Sequence, residues 1–140
     1  MRIWQRIKSK IEKARFQRRL NIAELVFPVP CKLYGVKDPE YQGALVQSRA
    51  GDKLQLVHIP SEEYPSRVYA YSVTLKRILG YLHTELSNRL IYVFGKGLCR
   101  DGKIVVITGD YRRTLGCNIR IYDTAEEFKN QTDFSHLHGN

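Results

Sequence analysis

The stretch that decides the fold covers residues 50–90 and reads AGDKLQLVHIPSEEYPSRVYAYSVTLKRILGYLHTELSNRL. Apolar or alternating runs predict three β-strands, at 53–59, 67–73 and 77–82. Thr84 can cap the N-terminus of a helix over 85–93, because its hydroxyl accepts hydrogen bonds from the first turn. Strands in close succession with one short helix indicate a small, mainly β domain.

The flanking segments extend the same pattern in both directions. Residues 24–34 predict a first strand, whose two prolines place it at a sheet edge or at a bulge, and 35–43 predict a turn-rich loop. An Asp-Gly pair within 100–103 predicts a hairpin turn before a strand at 104–107, and 117–122 predicts a last strand. We therefore predict a mainly β fold, a small antiparallel barrel of OB-like or SH3-like type with one packed helix.

The two ends of the chain differ from this barrel in composition. Residues 1–20 hold eight basic residues and one acidic residue, which accounts for most of the net charge of +9. Isoleucines at 3, 7 and 11 recur at helical spacing, which predicts a basic amphipathic N-terminal helix. A capping box at 124–127 predicts a short C-terminal helix and a loose tail. The predicted parts are an arm, a barrel domain and a terminal helix with tail, at 1–22, 23–123 and 124–140.

Composition and motifs also exclude several classes of protein. No apolar run approaches the roughly 18 residues that a transmembrane helix needs. Three cysteines without a Cys-x-x-Cys pair argue against a disulfide framework and predict a cytoplasmic location. The chain has no Cys–His pairing at metal-ligand spacing, no Gly-x-Ser-x-Gly element and no phosphate loop. We therefore expect no metal, no cofactor and no enzymatic activity.

Several short motifs between residues 33 and 109 follow one another in a particular order. They are 33–35 (LYG), 51–57 (GDKLQLV), Tyr64, 68–71 (VYAY), 80–82 (GYL) and 107–109 (ITG). In order and spacing this set resembles a HIRAN domain, a small module at the front of some helicase-like chromatin remodellers that also occurs alone in bacteria. The resemblance implies an OB-like barrel that grips single-stranded DNA, in the best-known members by its free 3′ end.

The resemblance also implies which residues would contact the strand. Aromatic faces would stack on bases, and nearby cations would meet phosphates. The predicted contacts are Lys37 and Tyr41 in the loop, Tyr64 in the turn, Arg67, Tyr81 in the Gly-Tyr-Leu element, and Thr84 at the helix start. Where the family has an aspartate after the turn tyrosine, this chain has Pro65, which offers a 3′ hydroxyl no side-chain acceptor.

Two classes of function follow from these patterns. The first is a non-catalytic nucleic-acid-binding module for single-stranded DNA or DNA ends. The alternative is a protein-interaction or assembly domain, in which residues 1–20 dock on a partner or on a second copy. An anionic membrane surface is a third partner for the basic arm. Structural packing of Tyr64 and Tyr81 competes with a stacking role for either ring.

Overall fold

A computed structural model describes residues 25–110 and 112–125 of the 140-residue chain. Its elements in chain order are β1 (Val29–Lys32), α1 (Pro39–Val46), β2 (Lys53–His58), β3 (Val68–Ser72), β4 (Arg77–Tyr81), α2 (Thr84–Phe94), β5 (Cys99–Thr108) and β6 (Gly116–Ile121). The strands form one antiparallel sheet in the order β1-β6-β5-β2-β3-β4. The prediction of a mainly β fold is therefore confirmed.

Parts of the predicted organisation fall outside this description. The predicted arm at 1–22 lies outside the described residues, as does almost all of the predicted helix and tail at 124–140. The first strand, expected at 24–34, is shorter, since β1 covers only Val29–Lys32. Among the described residues, no helix is both long and apolar enough to cross a bilayer.

The sheet curls into a half-barrel whose two edges meet at one point. Tyr34 lies just beyond β1 and forms an antiparallel bridge with Tyr81 at the end of β4. The two backbone N–H groups each donate to the other residue's carbonyl, at 2.8 and 3.1 Å. Gly80 permits this approach, because a Cβ there would lie 2.8 Å from the Tyr34 carbonyl oxygen. The bridge brings aromatic residues from both edges to the same rim.

Apolar side chains from the sheet and both helices fill the interior. Alternating residues of β6 point inward, as the strand pattern predicts, and α1 and α2 each add buried residues. Each fully buried leucine or isoleucine contributes about 1.5–3 kcal/mol to the free energy of unfolding. The largest buried apolar side chains are Leu45, Leu54, Leu56, Leu79, Leu82, Leu90, Ile104, Ile119 and Ile121.

The hairpin turn predicted at 100–103 is wrong. These residues lie inside β5, which pairs with β2 on one side and with β6 on the other. Asp101 is opposite Gln55, whose side-chain amide donates to its carboxylate at 3.0 Å. Gly102 is needed for packing, because a Cβ there would lie 2.5 Å from the Leu56 side chain. Pairing on both sides overrides the local turn preference of the Asp-Gly pair.

The prediction of one packed helix is also wrong, because the structure describes two. The segment expected as a loop at 35–43 contains the start of α1, with Pro39 as its first residue. Asp38 caps this helix, and its carboxylate accepts from the Glu40 backbone N–H at 2.9 Å. The helix packs against β4.

The helix predicted at 85–93 is present as α2, but its cap differs from the one expected. Thr84 is the first helical residue and not the cap. The cap is His83, whose Nδ1 accepts from the Glu85 backbone N–H at 3.2 Å. The Thr84 side chain is exposed and therefore remains available for contacts outside the helix.

Candidate functional site

The guanidinium of Arg67 lies between two tyrosine rings at one rim of the half-barrel. Its central carbon is 3.4 Å from the ring centroid of Tyr64 and 3.7 Å from that of Tyr81. These are face contacts of a planar cation with aromatic rings. Among the residues that the structure describes, none accepts a hydrogen bond from this guanidinium or forms an ion pair with it. We call these three residues the tyrosine–arginine stack.

Strand pairing explains why these side chains meet. Arg67 directly precedes β3, and Tyr81 is the last residue of β4. Tyr69 pairs with Tyr81 across the two strands, and their ring centroids are 6.3 Å apart in an edge-to-face arrangement. The Arg67 guanidinium is also 6.0 Å from the Tyr69 ring. The antiparallel register therefore places the cation against rings from both strands.

The turn that carries Tyr64 is fixed by hydrogen bonds on both sides. The Tyr64 backbone N–H donates to the Ser61 hydroxyl at 2.9 Å. Buried His58 contacts the Pro65 carbonyl through Nε2 at 2.8 Å and accepts from the Gly97 N–H at Nδ1, also at 2.8 Å. Only the neutral ring can accept at Nδ1 and donate from Nε2 together. His58 thus holds the turn beside the stack.

Gly35 makes room for the ring of Tyr81. A Cβ at Gly35 would overlap this ring and would lie 2.8 Å from its Cζ. The backbone of Gly35 also has φ of +73°, a conformation that other residues adopt only with strain. Glycine at this position is therefore required for the observed orientation of the Tyr81 ring.

Tyr41 approaches the stack from α1 and is half-buried. Burial raises the pKa of the Tyr41 phenol to about 12, and the neighbouring Tyr69 and Asp38 add to this shift. The Arg67 cation lowers the pKa of Tyr41, whereas Tyr81 raises it. Tyr41 is therefore a neutral hydrogen-bonding group beside the stack at physiological pH.

A second aromatic pair extends the same rim, and the sequence did not point to it. The rings of Tyr34 and His83 have centroids 5.3 Å apart, and the Lys32 ammonium is 5.3 Å from the Tyr34 centroid. Tyr34 is joined to Tyr81 by the bridge that closes the sheet. The available signal was the spacing of Tyr81 and His83, two residues apart on one extended segment.

A pocket of about 260 Å³ lies between the Tyr64 turn and the first turn of α2. Two of its lining residues, Tyr64 and Arg67, belong to the stack. Ser87 also lines it; this side chain is completely buried, and its hydroxyl has no hydrogen-bond partner among the residues that the structure describes. The lining residues are Glu63, Tyr64, Pro65, Ser66, Arg67, Leu82, Thr84 and Ser87.

The structure brings five of the six predicted contact residues together. Tyr64, Arg67 and Tyr81 form the stack, Tyr41 interacts electrostatically with Arg67 and Tyr81, and Thr84 shares the pocket. Lys37 is exposed in the loop before α1 and makes no hydrogen bond, ion pair or ring contact with the described residues. The other five predicted contact residues therefore lie together, and Lys37 makes none of these contacts with them.

Acidic residues also lie near this rim. Glu63 is exposed and lines the pocket, so it opposes the charge of Arg67. Glu85 is engaged by Arg89, at 3.0 Å, one helical turn further along α2. An exposed pair of this kind contributes about 0.3–0.5 kcal/mol but offsets the local negative charge. The rim is therefore aromatic and mixed in charge, with Arg67 as its central cation.

A second pocket, of about 370 Å³, lies on the other half of the sheet. It is lined by Pro30, Cys31, Val105, Asn118, Ile119 and Arg120. Burial raises the pKa of Cys31 and of nearby Cys117 to about 12, so both thiols are protonated and unreactive near neutral pH. This region provides no activated nucleophile.

Within residues 25–110 and 112–125, no group of three or more His, Cys, Asp or Glu side chains could hold a metal ion. Comparisons of the chain with protein-family models, curated proteins and solved structures found no match. The resemblance to a HIRAN domain therefore stays a prediction, and the function has to be interpreted from the geometry of the rim.

Proposed function

We propose that this chain is a non-catalytic module that binds single-stranded nucleic acid through a HIRAN-like site on an OB-like barrel. The observation that carries the proposal is the stack of Arg67 between Tyr64 and Tyr81, at 3.4 and 3.7 Å. Both rings contact the guanidinium at its central carbon, and no described residue accepts from the N–H groups along its edge, which leaves them for an acceptor. Phosphate oxygens are the acceptors that this edge fits best.

The rings supply the second half of the interaction. Arg67 covers one face of each tyrosine, and Tyr64 is still 40% exposed. A base stacked on an aromatic ring gains about 1–3 kcal/mol, with little dependence on the sequence of the strand. The stack therefore offers phosphate and base contacts within one nucleotide step of each other.

The mixed charge of the rim predicts a modest salt dependence for the barrel itself. Each phosphate neutralised on a single strand contributes a slope of about −0.7 to log K against log salt. Arg67 opposed by Glu63 supports one or two such contacts. The eight basic residues at 1–20 would add sequence-independent affinity, with a much steeper salt dependence.

The experiment that tests the proposal compares Arg67→Ala with Arg120→Ala. Both variants remove one positive charge, but Arg120 lines the second pocket, away from the stack. We expect Arg67→Ala to weaken binding of a labelled single-stranded oligonucleotide about 10- to 100-fold, through loss of a charge-assisted contact and of ring orientation. Arg120→Ala should stay within about twofold. Fluorescence anisotropy at several salt concentrations measures both.

Deletion of residues 1–20 completes the design. If binding survives the deletion and is lost in Arg67→Ala, the half-barrel binds the strand. If binding depends on residues 1–20 and not on Arg67, the stack is not the site, and the proposal is wrong. A lower oligomer mass after the deletion would favour the assembly function instead.

A further inference from the structure

Within the described ranges, the Ser87 hydroxyl is a buried polar group without a hydrogen-bond partner at the floor of the 260 Å³ pocket. Leaving such a group unpaired destabilises the folded state, and folded proteins pair nearly all of them. The serine lies in the first turn of α2, where the smaller alanine would leave no unpaired hydroxyl. A hydroxyl retained at the floor of a pocket indicates a ligand that completes its hydrogen bonding.

The pocket has groups that can donate hydrogen bonds to an anionic ligand. Ser87 and Thr84 carry hydroxyl groups, and Arg67 carries only donors. The pocket also meets the N-terminus of the 11-residue helix α2, where backbone N–H groups and the helix dipole attract an anion. His83 occupies the N–H of Glu85, so those of Thr84 and Leu86 remain without an intrahelical acceptor.

We infer that this pocket binds the terminal phosphate of a nucleic-acid strand, an inference that rests on the proposed function. An internal phosphodiester is linked to a nucleoside on both sides and has two non-bridging oxygens. It can therefore contact the rim of the pocket more easily than its floor. A terminal phosphate has one ester link and three remaining oxygens, so it can enter the pocket. The Thr84 side chain in the lining is exposed and can rotate to admit it.

Two further features of the pocket bear on the ligand. Pro65 lies in the lining and has no side-chain acceptor, so a terminal hydroxyl would find no partner for its proton there. Glu63 also lines the pocket and opposes an anion, whereas Glu85 is paired with Arg89 at 3.0 Å. Removing the opposing carboxylate in Glu63→Gln should therefore strengthen binding of a phosphorylated end.

The test uses four oligonucleotides of one sequence, labelled internally so that both ends stay native. One has hydroxyl groups at both ends, one a 5′-phosphate, one a 3′-phosphate and one both. With the full chain, we expect one phosphorylated end to bind about tenfold tighter than the hydroxyl end, as a charge-assisted hydrogen bond predicts. The oligonucleotide that gains affinity shows which end enters the pocket.

The decisive variant is Ser87→Ala, with Ser48→Ala as its control. Ser48 is also buried and helix-associated, but its hydroxyl donates to the Ala44 carbonyl at 2.9 Å. We expect Ser87→Ala to reduce the preference for the phosphorylated end about tenfold, to near parity, with the melting temperature unchanged or higher. Ser48→Ala should keep the preference, although it loses a hydrogen bond. A purely structural serine would not separate stability from end preference in this way.

Each outcome decides between the two proposals. If all four oligonucleotides bind equally well, the terminal-phosphate site is wrong and the proposed function stands. If a phosphorylated end binds tighter but Ser87→Ala keeps that gain, the phosphate binds elsewhere and the assignment of this pocket is overturned. If none of the four binds at low salt, the proposed function fails together with the inference.

Discussion

Two arginines in the described part of the chain stack on aromatic rings, and they differ in the hydrogen bonds at the edge of the guanidinium. Arg67 lies between two tyrosines, and none of the described residues accepts from its N–H groups. Arg100 lies 3.8 Å above the Phe94 ring, and its Nη1 donates to the Asp123 carbonyl at 3.0 Å. The ring contact is similar in both cases. The partner of the guanidinium edge therefore distinguishes a structural arginine from one available to a ligand.

Their positions in the fold agree with this difference. Arg100 lies in β5, opposite Leu56 of β2, and links the end of α2 to the chain beyond β6. Phe94 also packs edge-on against Phe27, with ring centroids 5.6 Å apart. Arg67 precedes β3 at the rim, where a ligand has access. We expect substitutions at Arg100 to affect folding and those at Arg67 to affect binding.

The largest effect should come from Gly35→Ala. This substitution acts on Arg67 indirectly, by displacing the Tyr81 ring that contacts it. The new Cβ would overlap the Tyr81 ring and would require a strained backbone at φ of +73°. Strain of about 1 kcal/mol and overpacking of about 1–3 kcal/mol together predict a loss of about 2–4 kcal/mol in the free energy of unfolding. Urea denaturation measures this, and oligonucleotide affinity should fall as the ring moves.

Gly51→Ala is the matched control for this prediction. Gly51 has φ of +91°, but a Cβ there would have no atom within 4 Å. It therefore carries the backbone strain without the contact, and we expect a loss of about 1 kcal/mol with unchanged binding. Equal losses of stability in the two variants would show that the Tyr81 ring does not depend on Gly35.

Most of the sheet could be predicted from the sequence, because alternation and apolar runs mark strands that bury one face. The strands predicted at 53–59, 67–73 and 77–82 match β2, β3 and β4 within one or two residues at each end. The errors occurred where tertiary pairing overrides local preference, as at Gly102, or where a helix starts among turn residues, as at Pro39. The residues outside the described ranges leave both terminal predictions untested.

The site could be predicted only as a set of residue types. Tyr64, Tyr81 and Arg67 were all named from sequence, but insertion of the cation between the rings depends on strand register. Tyr34 and His83 were missed because their proximity to Tyr81 comes from a bridge between distant segments. The unpaired Ser87 hydroxyl has no sequence signal, since a serine in a helix ordinarily reaches solvent or a backbone carbonyl.

The next largest effect is a difference in the free energy of unfolding between the Arg100→Ala and Arg67→Ala variants. Arg100→Ala removes the contact with Phe94 and the hydrogen bond to the Asp123 carbonyl, so it should cost about 1–3 kcal/mol in the free energy of unfolding. Arg67→Ala should cost less than about 1 kcal/mol, because its loss is confined to ring contacts at the rim. Thermal and urea unfolding of both variants, with affinity measured alongside, test the distinction. A larger stability loss in Arg67→Ala would make its stack structural.

The smallest effect compares the two halves of the molecule through their response to alkali. Burial raises the pKa of Cys31 and Cys117 from 9.0 to about 12, whereas that of Tyr41, beside the stack, rises from 10.0 to about 12. Because each folded-state pKa lies above its unfolded value, each group stabilises the fold fully below the unfolded pKa. That contribution is lost progressively between the unfolded pKa, 9.0 for the thiols and 10.0 for Tyr41, and the folded pKa of about 12.

The stabilisation from Cys31 and Cys117 should therefore begin to decline about one pH unit below that from Tyr41. At pH 10 each buried thiol should already have lost about 1 kcal/mol of its contribution, whereas Tyr41 has lost little. The Cys31→Ala, Cys117→Ala double variant should be less stable at pH 8 but lose less stability between pH 9 and 10 than the unmodified chain. Tyr41→Phe should flatten only the later decline, above pH 10. Urea titrations at half-unit pH steps resolve the two onsets, and a decline that these substitutions leave unchanged would contradict the raised pKa values.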